Sequence, residues 1–213
     1  MARRKLTIAL APIVAAAITD GPDDDADAML DATAALLREH GLHRWTVEDV
    51  ADRAGVGRTS VYRRFPSRDD LVHGVLAREL RQTIAAVGAA AAAQVTLEDR
   101  VVEATVAALE ALDGSVVDGL LRTDGPIVLP FLTTGAGPLV ELARRSFAPA
   151  LVAAGLTIEG DQAELVAEAL ARLGLSFVLT RQSVLPVDDP AAMRDSVRVL
   201  IGPLLGTRLG PAA

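Results

Sequence analysis

Residues 46 to 71 constrain the fold of this chain more than any other stretch, because they read as two short helices joined by a glycine turn. Thr46 and Asp49 have the spacing of a capping box, which marks the start of a helix. Apolar residues then recur at the intervals of one helix face: Val47, Val50, Ala51 and Ala54. Gly55 ends this pattern, so the sequence predicts a short amphipathic helix followed by a turn.

The segment after the turn predicts a second short helix with one apolar and one basic side. Val61 and Phe65 share the apolar side, and the other side and its flanks carry Thr59, Ser60, Tyr62 and Arg63. Residues 58 to 68 contain four arginines and no acid, a local charge of +4 in a protein of formal net charge −7; they are Arg58, Arg63, Arg64 and Arg68. Two helices in this order form a helix-turn-helix, whose second helix enters the major groove of DNA.

Each of these residues also has a plainer interpretation. Arginines on a helix usually belong to a solvated surface, and Val61 and Phe65 would pack in any small helical domain. Tyr62 is compatible with a core position or with a phosphate contact. The order of the features favours DNA binding, because a capping box, a turn, a basic helix face and a second capping box from Ser67 to Asp70 follow one another.

The stretch from about residue 28 to 75 resembles the DNA-binding signature of the TetR family of bacterial transcriptional repressors. The resemblance rests on MLDATAALLREHG, TVEDVADRAGV and SVYRRFPSRDDL. The chain departs from the family at Leu37, Gly57 and Thr59, where Phe, Ser and a smaller residue are common. The resemblance and the basic helix face together predict the DNA-binding residues Thr46, Val47, Arg58, Thr59, Ser60, Tyr62, Arg63, Arg64 and Arg68.

The composition favours packed helices. The chain is 51% hydrophobic but only 3% aromatic, so its core consists mainly of Ala, Leu and Val. It has no cysteine, which excludes disulfides, thiolate metal ligands and cysteine nucleophiles. With the resemblance, we expect an all-α protein with an N-terminal three-helix helix-turn-helix domain over residues 23–70 and a larger helical effector-binding and dimerisation domain over 71–213.

Residues 1–22 imitate a secretory signal peptide, since a basic start precedes an apolar stretch and small residues. Pro12 interrupts the apolar stretch, which at about 13 residues is too short to span a bilayer as a helix. We therefore expect a cytoplasmic protein without a membrane partner. This segment is interpreted as an arm or extra helix, with Arg3, Arg4 and Lys5 as further phosphate or minor-groove contacts.

The rest of the sequence predicts helices only. A long helix follows Ser67, and Thr96 with Asp99 caps another that ends at about Leu112. Further helices are expected at about residues 115–122, 126–134, 137–154, 161–183 and 189–205.

The last two long helices carry apolar stripes that could face their own core or a second subunit. In the resembling family this pair forms a four-helix bundle with the same pair of another copy, and Gly174 would permit close approach. The resemblance therefore predicts a homodimer, which suits a palindromic operator. Its expected interface residues are Leu170, Leu173, Gly174, Val197, Ile201 and Leu204.

The resemblance also implies a small-molecule effector in the C-terminal domain. Apolar residues with a few hydroxyl groups are typical of such sites. The candidates are Thr105, Leu109, Phe131, Thr134, Phe147 and Phe177, each of which could equally be an ordinary core residue or a threonine with a satisfied hydroxyl. The low aromatic content favours an aliphatic or acyl ligand over a stacked cationic one.

No enzyme is expected, because the usual nucleophile, zinc, phosphate-loop and dinucleotide motifs are missing from the sequence. No cofactor or metal is implied either. The alternative that the sequence leaves open is an architectural DNA-binding protein without an effector, since a filled second domain would have the same helix pattern.

Overall fold

The computed structural model describes residues 9–19, 24–156, 162–180, 184–186 and 189–205. Within these ranges the chain forms eleven α-helices, one 3-10 helix and no β-strand. The α-helices are α1 (Leu10–Thr19), α2 (Asp24–His40), α3 (Val47–Ala54), α4 (Arg58–Arg64), α5 (Arg68–Ala92), α6 (Leu97–Leu112), α7 (Val116–Thr123), α8 (Gly125–Leu132), α9 (Gly137–Ala153), α10 (Gln162–Leu179) and α11 (Pro190–Ile201), and the 3-10 helix is Gly202–Leu205. The predicted all-α class is confirmed.

Side-chain caps begin several of these helices. The Thr96 hydroxyl accepts the backbone N–H of Asp99 at 3.0 Å, and the Ser115 hydroxyl accepts that of Asp118 at 3.1 Å. Asp189 accepts two backbone N–H groups at the start of α11. The helices predicted after residue 96 are all present; α10 ends at Leu179, and residues 181–183 of its predicted range lie outside the described residues. Such caps satisfy N–H groups that the first helical turn leaves without partners.

The described residues form two compact units, and neither is one continuous stretch. The first combines residues within 1–82 and 114–136, and the second combines residues within 83–113 and 137–213. The domain boundary predicted after residue 70 falls inside α5, within the first unit. Helices α7 and α8, expected in the effector-binding domain, belong to the first unit.

The first unit has its core between α2, α3, α4 and the start of α5. Its fully buried side chains include Leu37, Leu42, Val50, Val61 and Leu71, each 0% exposed. The tryptophan of the chain lies in this core, since Trp45 is 3% exposed and its indole N–H donates to the Gly41 carbonyl at 3.0 Å.

Helix α7 is held in the first unit at both ends by carboxylates. At its start, Glu79 of α5 accepts the Val116 N–H at 3.0 and 3.1 Å and also binds Arg38 of α2 at 3.0 Å. After its end, Asp124 accepts the Leu42 N–H at 2.9 Å and the Thr123 hydroxyl at 2.8 Å. Burial raises the pKa of Glu79. These bonds join α7 to the helices that carry the helix-turn-helix.

The second unit has an aliphatic core with ion pairs beside it. The core includes Val102, Val106, Ala167 and Met193. Arg194 of α11 donates to both carboxylate oxygens of Glu103 on α6, at 2.6 and 3.0 Å, and this hydrogen bonding lowers the pKa of Glu103. In the part of the chain that the structure describes, no single helix is long and apolar enough to cross a membrane; α8 and α9 reach the required length and composition only together, across a break.

Candidate DNA-binding surface

The first helix of the helix-turn-helix, α3, begins at the predicted capping box. The Thr46 N–H donates to the Asp49 carboxylate at 2.7 Å, and the Asp49 N–H donates to the Thr46 hydroxyl at 3.3 Å. The Thr46 hydroxyl bond lowers the pKa of Asp49. Gly55 ends α3 with a φ of 68°, a left-handed conformation that favours glycine. The backbone therefore turns where the sequence predicts.

The second helix, α4, has the predicted sidedness. Val61 is 0% and Phe65 7% exposed, so this side lies in the core of the first unit. Ser60 is half-buried, and the side chains on the other surface are exposed: Arg58, Thr59, Tyr62, Arg63 and Arg64. We call these five residues the basic face of α4. Its position follows from the burial of Val61 and Phe65, because side chains opposite the buried side of a surface helix point away from the core.

The arginines of the basic face have different surroundings. Arg58 forms an ion pair with Glu48 of α3, and its guanidinium carbon lies 5.3 Å from the centroid of the Tyr62 ring. A hydrogen bond with Tyr62 and the charge of Glu48 raise the pKa of Arg58. The Arg64 guanidinium lies 5.4 Å from the centroid of the Phe65 ring. Among the described residues, the Arg63 side chain makes no ion pair or hydrogen bond, which leaves its donors available to DNA.

Arg68 differs from these arginines because its side chain packs against the core. Its guanidinium carbon lies 4.3 Å from the centroid of the Trp45 ring, a cation–π arrangement. Arg68 is the first residue of α5. The predicted second capping box begins this helix, because the Ser67 N–H donates to Asp70 at 2.9 Å and the Asp70 N–H donates to the Ser67 hydroxyl at 3.2 Å. Arg68 thus has a packing role beside any phosphate contact.

Val47 requires a correction among the predicted DNA contacts. Its side chain is only 6% exposed, because it belongs to the apolar face of α3 that packs into the first unit. Thr46 beside it is exposed, although its hydroxyl already donates to Asp49 at 2.8 Å. The apolar spacing that identified α3 was itself the signal that Val47 is buried.

The residues predicted to bind an effector are divided between the two units. Leu109, Phe147 and Phe177 are partly buried against the core of the second unit. The Thr105 hydroxyl, on α6, donates to the Val101 carbonyl at 2.8 Å. Phe131 and Thr134 belong to the first unit, so they are not part of that cluster.

The residues predicted at the dimer interface are also divided. Val197 and Ile201 are 2% and 3% exposed and lie in the core of their own second unit, against which Leu170 also packs. Val197 and Ile201 are therefore core residues of their own protomer, which corrects their predicted position at the dimer interface. Leu173 is 40% exposed and Gly174 has open space around it, whereas the Leu204 side chain lies outside the described residues.

Other apolar residues of α10 and α11 face outward. Leu165 is 67%, Val199 60% and Leu200 44% exposed. An apolar stripe on a helix indicates that a residue is buried but does not say which partner buries it. The sequence could therefore not separate the inward side chains of this helix pair from the outward ones.

Within the described ranges, no group of three or more His, Cys, Asp or Glu side chains is placed to hold a metal ion. The surface has the features of a nucleic-acid contact: a basic helix, an adjoining turn and a capped supporting helix.

Two family models match the chain. Residues 29–75 match the one described as "Bacterial regulatory proteins, tetR family", and residues 85–203 match "Bacterial Tetracyclin repressor, C-terminal domain". The second match alone covers more than half of the chain.

Individual relatives agree with these matches. The HTH-type transcriptional regulator AlkX of Mycobacterium tuberculosis is 28% identical over 177 residues, 82% of each chain. The crystal structure of the TetR family repressor AlkX from Dietzia sp., implicated in biodegradation of n-alkanes, has a TM-score of 0.62 and 28% identity, covering 86% of this chain and 98% of that one. The HTH-type transcriptional repressor KstR2 of Rhodococcus jostii is 38% identical over 58 residues, 27% of this chain and 28% of that protein.

Proposed function

The chain belongs to the TetR family of bacterial transcriptional regulators, and we propose that it is a repressor that binds a palindromic DNA operator as a homodimer and leaves it when a small apolar molecule binds the second unit. It acts on DNA in the cytoplasm. DNA binding through a helix-turn-helix is the part of this function that the family itself establishes.

The observation that carries the proposal is the basic face of α4. Buried Val61 and Phe65 fix the orientation of the helix, and the exposed arginines on its outer side suit phosphates and guanine edges. The whole chain has a formal net charge of −7, so attraction to DNA depends on this local concentration of positive charge.

A dimer would place two such helices on one DNA molecule. One recognition helix reads only a few base pairs, whereas two of them, about 34 Å apart, read two half-sites of a palindrome. The outward apolar side chains of α10 and α11, together with Gly174, support an interface on this helix pair. We assign Leu165, Leu173, Val199 and Leu200 to that interface in place of Val197 and Ile201.

The effector class follows from composition and from one relative. The core of the second unit is built almost entirely from aliphatic side chains, and the partly buried Leu109, Phe147 and Phe177 border it. The Dietzia repressor is implicated in the biodegradation of n-alkanes. We therefore propose an aliphatic or acyl effector held beside these three residues.

Release from DNA is proposed to occur by a shift between two arrangements of the dimer. An effector that binds the second arrangement more tightly moves the equilibrium toward it, and α5, which begins beside α4 and continues to Ala92, is the proposed mechanical link. A coupling of about 1 to 3 kcal/mol would lower operator affinity about 5- to 150-fold.

The test begins with a nuclease footprint on the DNA that flanks the coding region of the protein. We expect a palindromic protected site that disappears when n-alkanes or fatty acids of graded chain length are added. A site that persists with every aliphatic compound, while none raises the unfolding temperature, would contradict the proposed effector and favour an architectural protein.

Arg63 provides the residue-level test, since its side chain is exposed and makes no ion pair in the described structure. If it reads a guanine, Arg63→Ala loses about 1 to 3 kcal/mol of binding free energy and no longer distinguishes the base at one operator position. Arg53→Ala is the control. Arg53 lies on the supporting helix α3 and is also exposed, but it pairs with Glu39 at 2.9 Å. Equal losses on every operator variant would assign Arg63 to a phosphate instead.

A further inference from the structure

The ion pair between Glu48 and Arg58 places a carboxylate beside the basic face of α4. Glu48 lies in the first turn of α3, and Arg58 is the first residue of α4. Both are open to solvent, with 60% of the Arg58 side chain and 47% of the Glu48 side chain exposed. An acid in contact with an arginine that is expected to bind DNA needs an explanation, because it repels the phosphates that the arginine attracts.

The local fold does not depend on this pair. The capping box that starts α3 uses Asp49, the neighbour of Glu48. Val50 of α3 and Val61 of α4 are both 0% exposed, so buried apolar side chains anchor each helix in the core. An ion pair as exposed as this one contributes little to stability. Glu48 is therefore free to serve DNA binding without being needed for folding.

We propose that Glu48 is an internal competitor of DNA phosphate for Arg58. In the free protein the carboxylate occupies the guanidinium, so Arg58 must exchange Glu48 for a phosphate before it adds to DNA affinity. Glu48 thereby weakens the sequence-independent, electrostatic part of binding, while groups that read bases are unaffected. A regulator restrained in this way spends less time on the large excess of non-operator DNA.

Tyr62 makes the competition reversible. Its ring centroid lies 5.3 Å from the Arg58 guanidinium carbon, on the same helix. Because this contact does not involve α3, it keeps Arg58 near the surface of α4 after the carboxylate is removed. Removal of the Glu48 charge should therefore increase DNA binding and not leave Arg58 displaced.

The inference rests on the proposed DNA binding and is tested on the full-length protein with a fluorescein-labelled duplex of arbitrary sequence. Fluorescence anisotropy at a series of salt concentrations gives the affinity and its salt dependence. We expect Glu48→Gln to bind about 1.4- to 5-fold more tightly, the range that corresponds to one exposed ion pair. The slope of log affinity against log salt should become steeper, by at most about 0.9, the value for one full phosphate contact, because the wild-type Arg58 is shared between Glu48 and the phosphate.

The matched control is Glu39→Gln. Glu39 is also 47% exposed and pairs with an arginine of the same unit, Arg53, so this variant makes the same change in net charge. It should leave the salt slope unchanged. In the Arg58→Gln background, Glu48→Gln should have no effect on affinity, because the group for which it competes is gone.

Five results would overturn the inference. Weaker binding by Glu48→Gln would show that Glu48 positions Arg58 for DNA. An equal gain in Glu39→Gln, or a gain that persists without Arg58, would assign the effect to the general field of the domain. Wild-type protein that binds no duplex would overturn the proposed function as well, whereas normal wild-type binding with an unchanged Glu48→Gln variant would overturn the inference alone.

Discussion

The bond from Asp124 to the loop before α3 can be tested at Gly41. Gly41 has a φ of +66°, and a Cβ atom added there would lie 2.3 Å from the Asp124 carboxylate oxygen. The same oxygen accepts the Leu42 N–H at 2.9 Å. Alanine at position 41 must therefore adopt a left-handed conformation and also displace the carboxylate that joins α7 to this loop.

The cost of Gly41→Ala has two parts. A non-glycine residue in the left-handed region costs about 1 to 2 kcal/mol. Displacement of Asp124 adds the loss of a hydrogen bond to a charged acceptor, about 1.5 to 3 kcal/mol. Gly55→Ala is the control for the first part, since Gly55 has a φ of +68° and nothing within 4 Å of an added Cβ.

Trp45 makes the assay specific for the first unit, because it is the only tryptophan of the chain and is 3% exposed. Thermal unfolding followed by tryptophan fluorescence should place the midpoint of Gly41→Ala about 3 to 12 °C below that of Gly55→Ala. Adding Asp124→Ala to Gly41→Ala should cost less than adding it to the wild type. Equal midpoints for the two glycine variants would refute a stabilising role of the Asp124 bond.

Two further predictions concern the second unit. The hydrogen bond from Arg194 lowers the pKa of Glu103 from 4.5. The contribution of the ionised Glu103 to stability is therefore complete above pH 4.5 and is lost as the pH falls through its folded-state pKa. In urea unfolding, Glu103→Gln should therefore have a lower free energy of unfolding at neutral pH, by at most about 1 kcal/mol, and that free energy should change less as the pH falls. The control Glu110→Gln, on the same helix, should show neither change. Leu173→Lys should give a monomer mass in light scattering, whereas Val152→Lys should leave the dimer intact; a dimeric Leu173→Lys protein would contradict the assigned interface.

Local signals in the sequence were sufficient for the helix-turn-helix. The Thr46 and Ser67 capping boxes and the left-handed Gly55 depend on residues within a few positions of one another, and the sidedness of α4 follows from its own apolar spacing. Such features survive in any tertiary context that buries the same face.

Contacts between distant parts of the chain were not predictable in the same way. The bond from Leu42 to Asp124 spans 82 residues and the bond from Val116 to Glu79 spans 37, so no spacing rule brings them together. Val197 and Ile201 illustrate a related limit, because their stripe fits a protomer core as well as a dimer interface. The pairing of Glu48 with Arg58 likewise depends on how α3 and α4 cross.

The divided first unit has a consequence for how this protein is made. Its helix-turn-helix lies before residue 82, but α7 and α8, which complete the same unit, follow only after residues 83–113. A ribosome must therefore synthesise the chain to Asp124 before both the Glu79 carboxylate and the Leu42 N–H can meet their partners, Val116 and Asp124. Until then the Leu42 N–H depends on water and Glu79 has Arg38 but not the start of α7, so a chain released early would carry the basic helix on an incomplete support. The order of synthesis thus completes the support of the helix-turn-helix only after residues 83–113, which belong to the second unit, have been made.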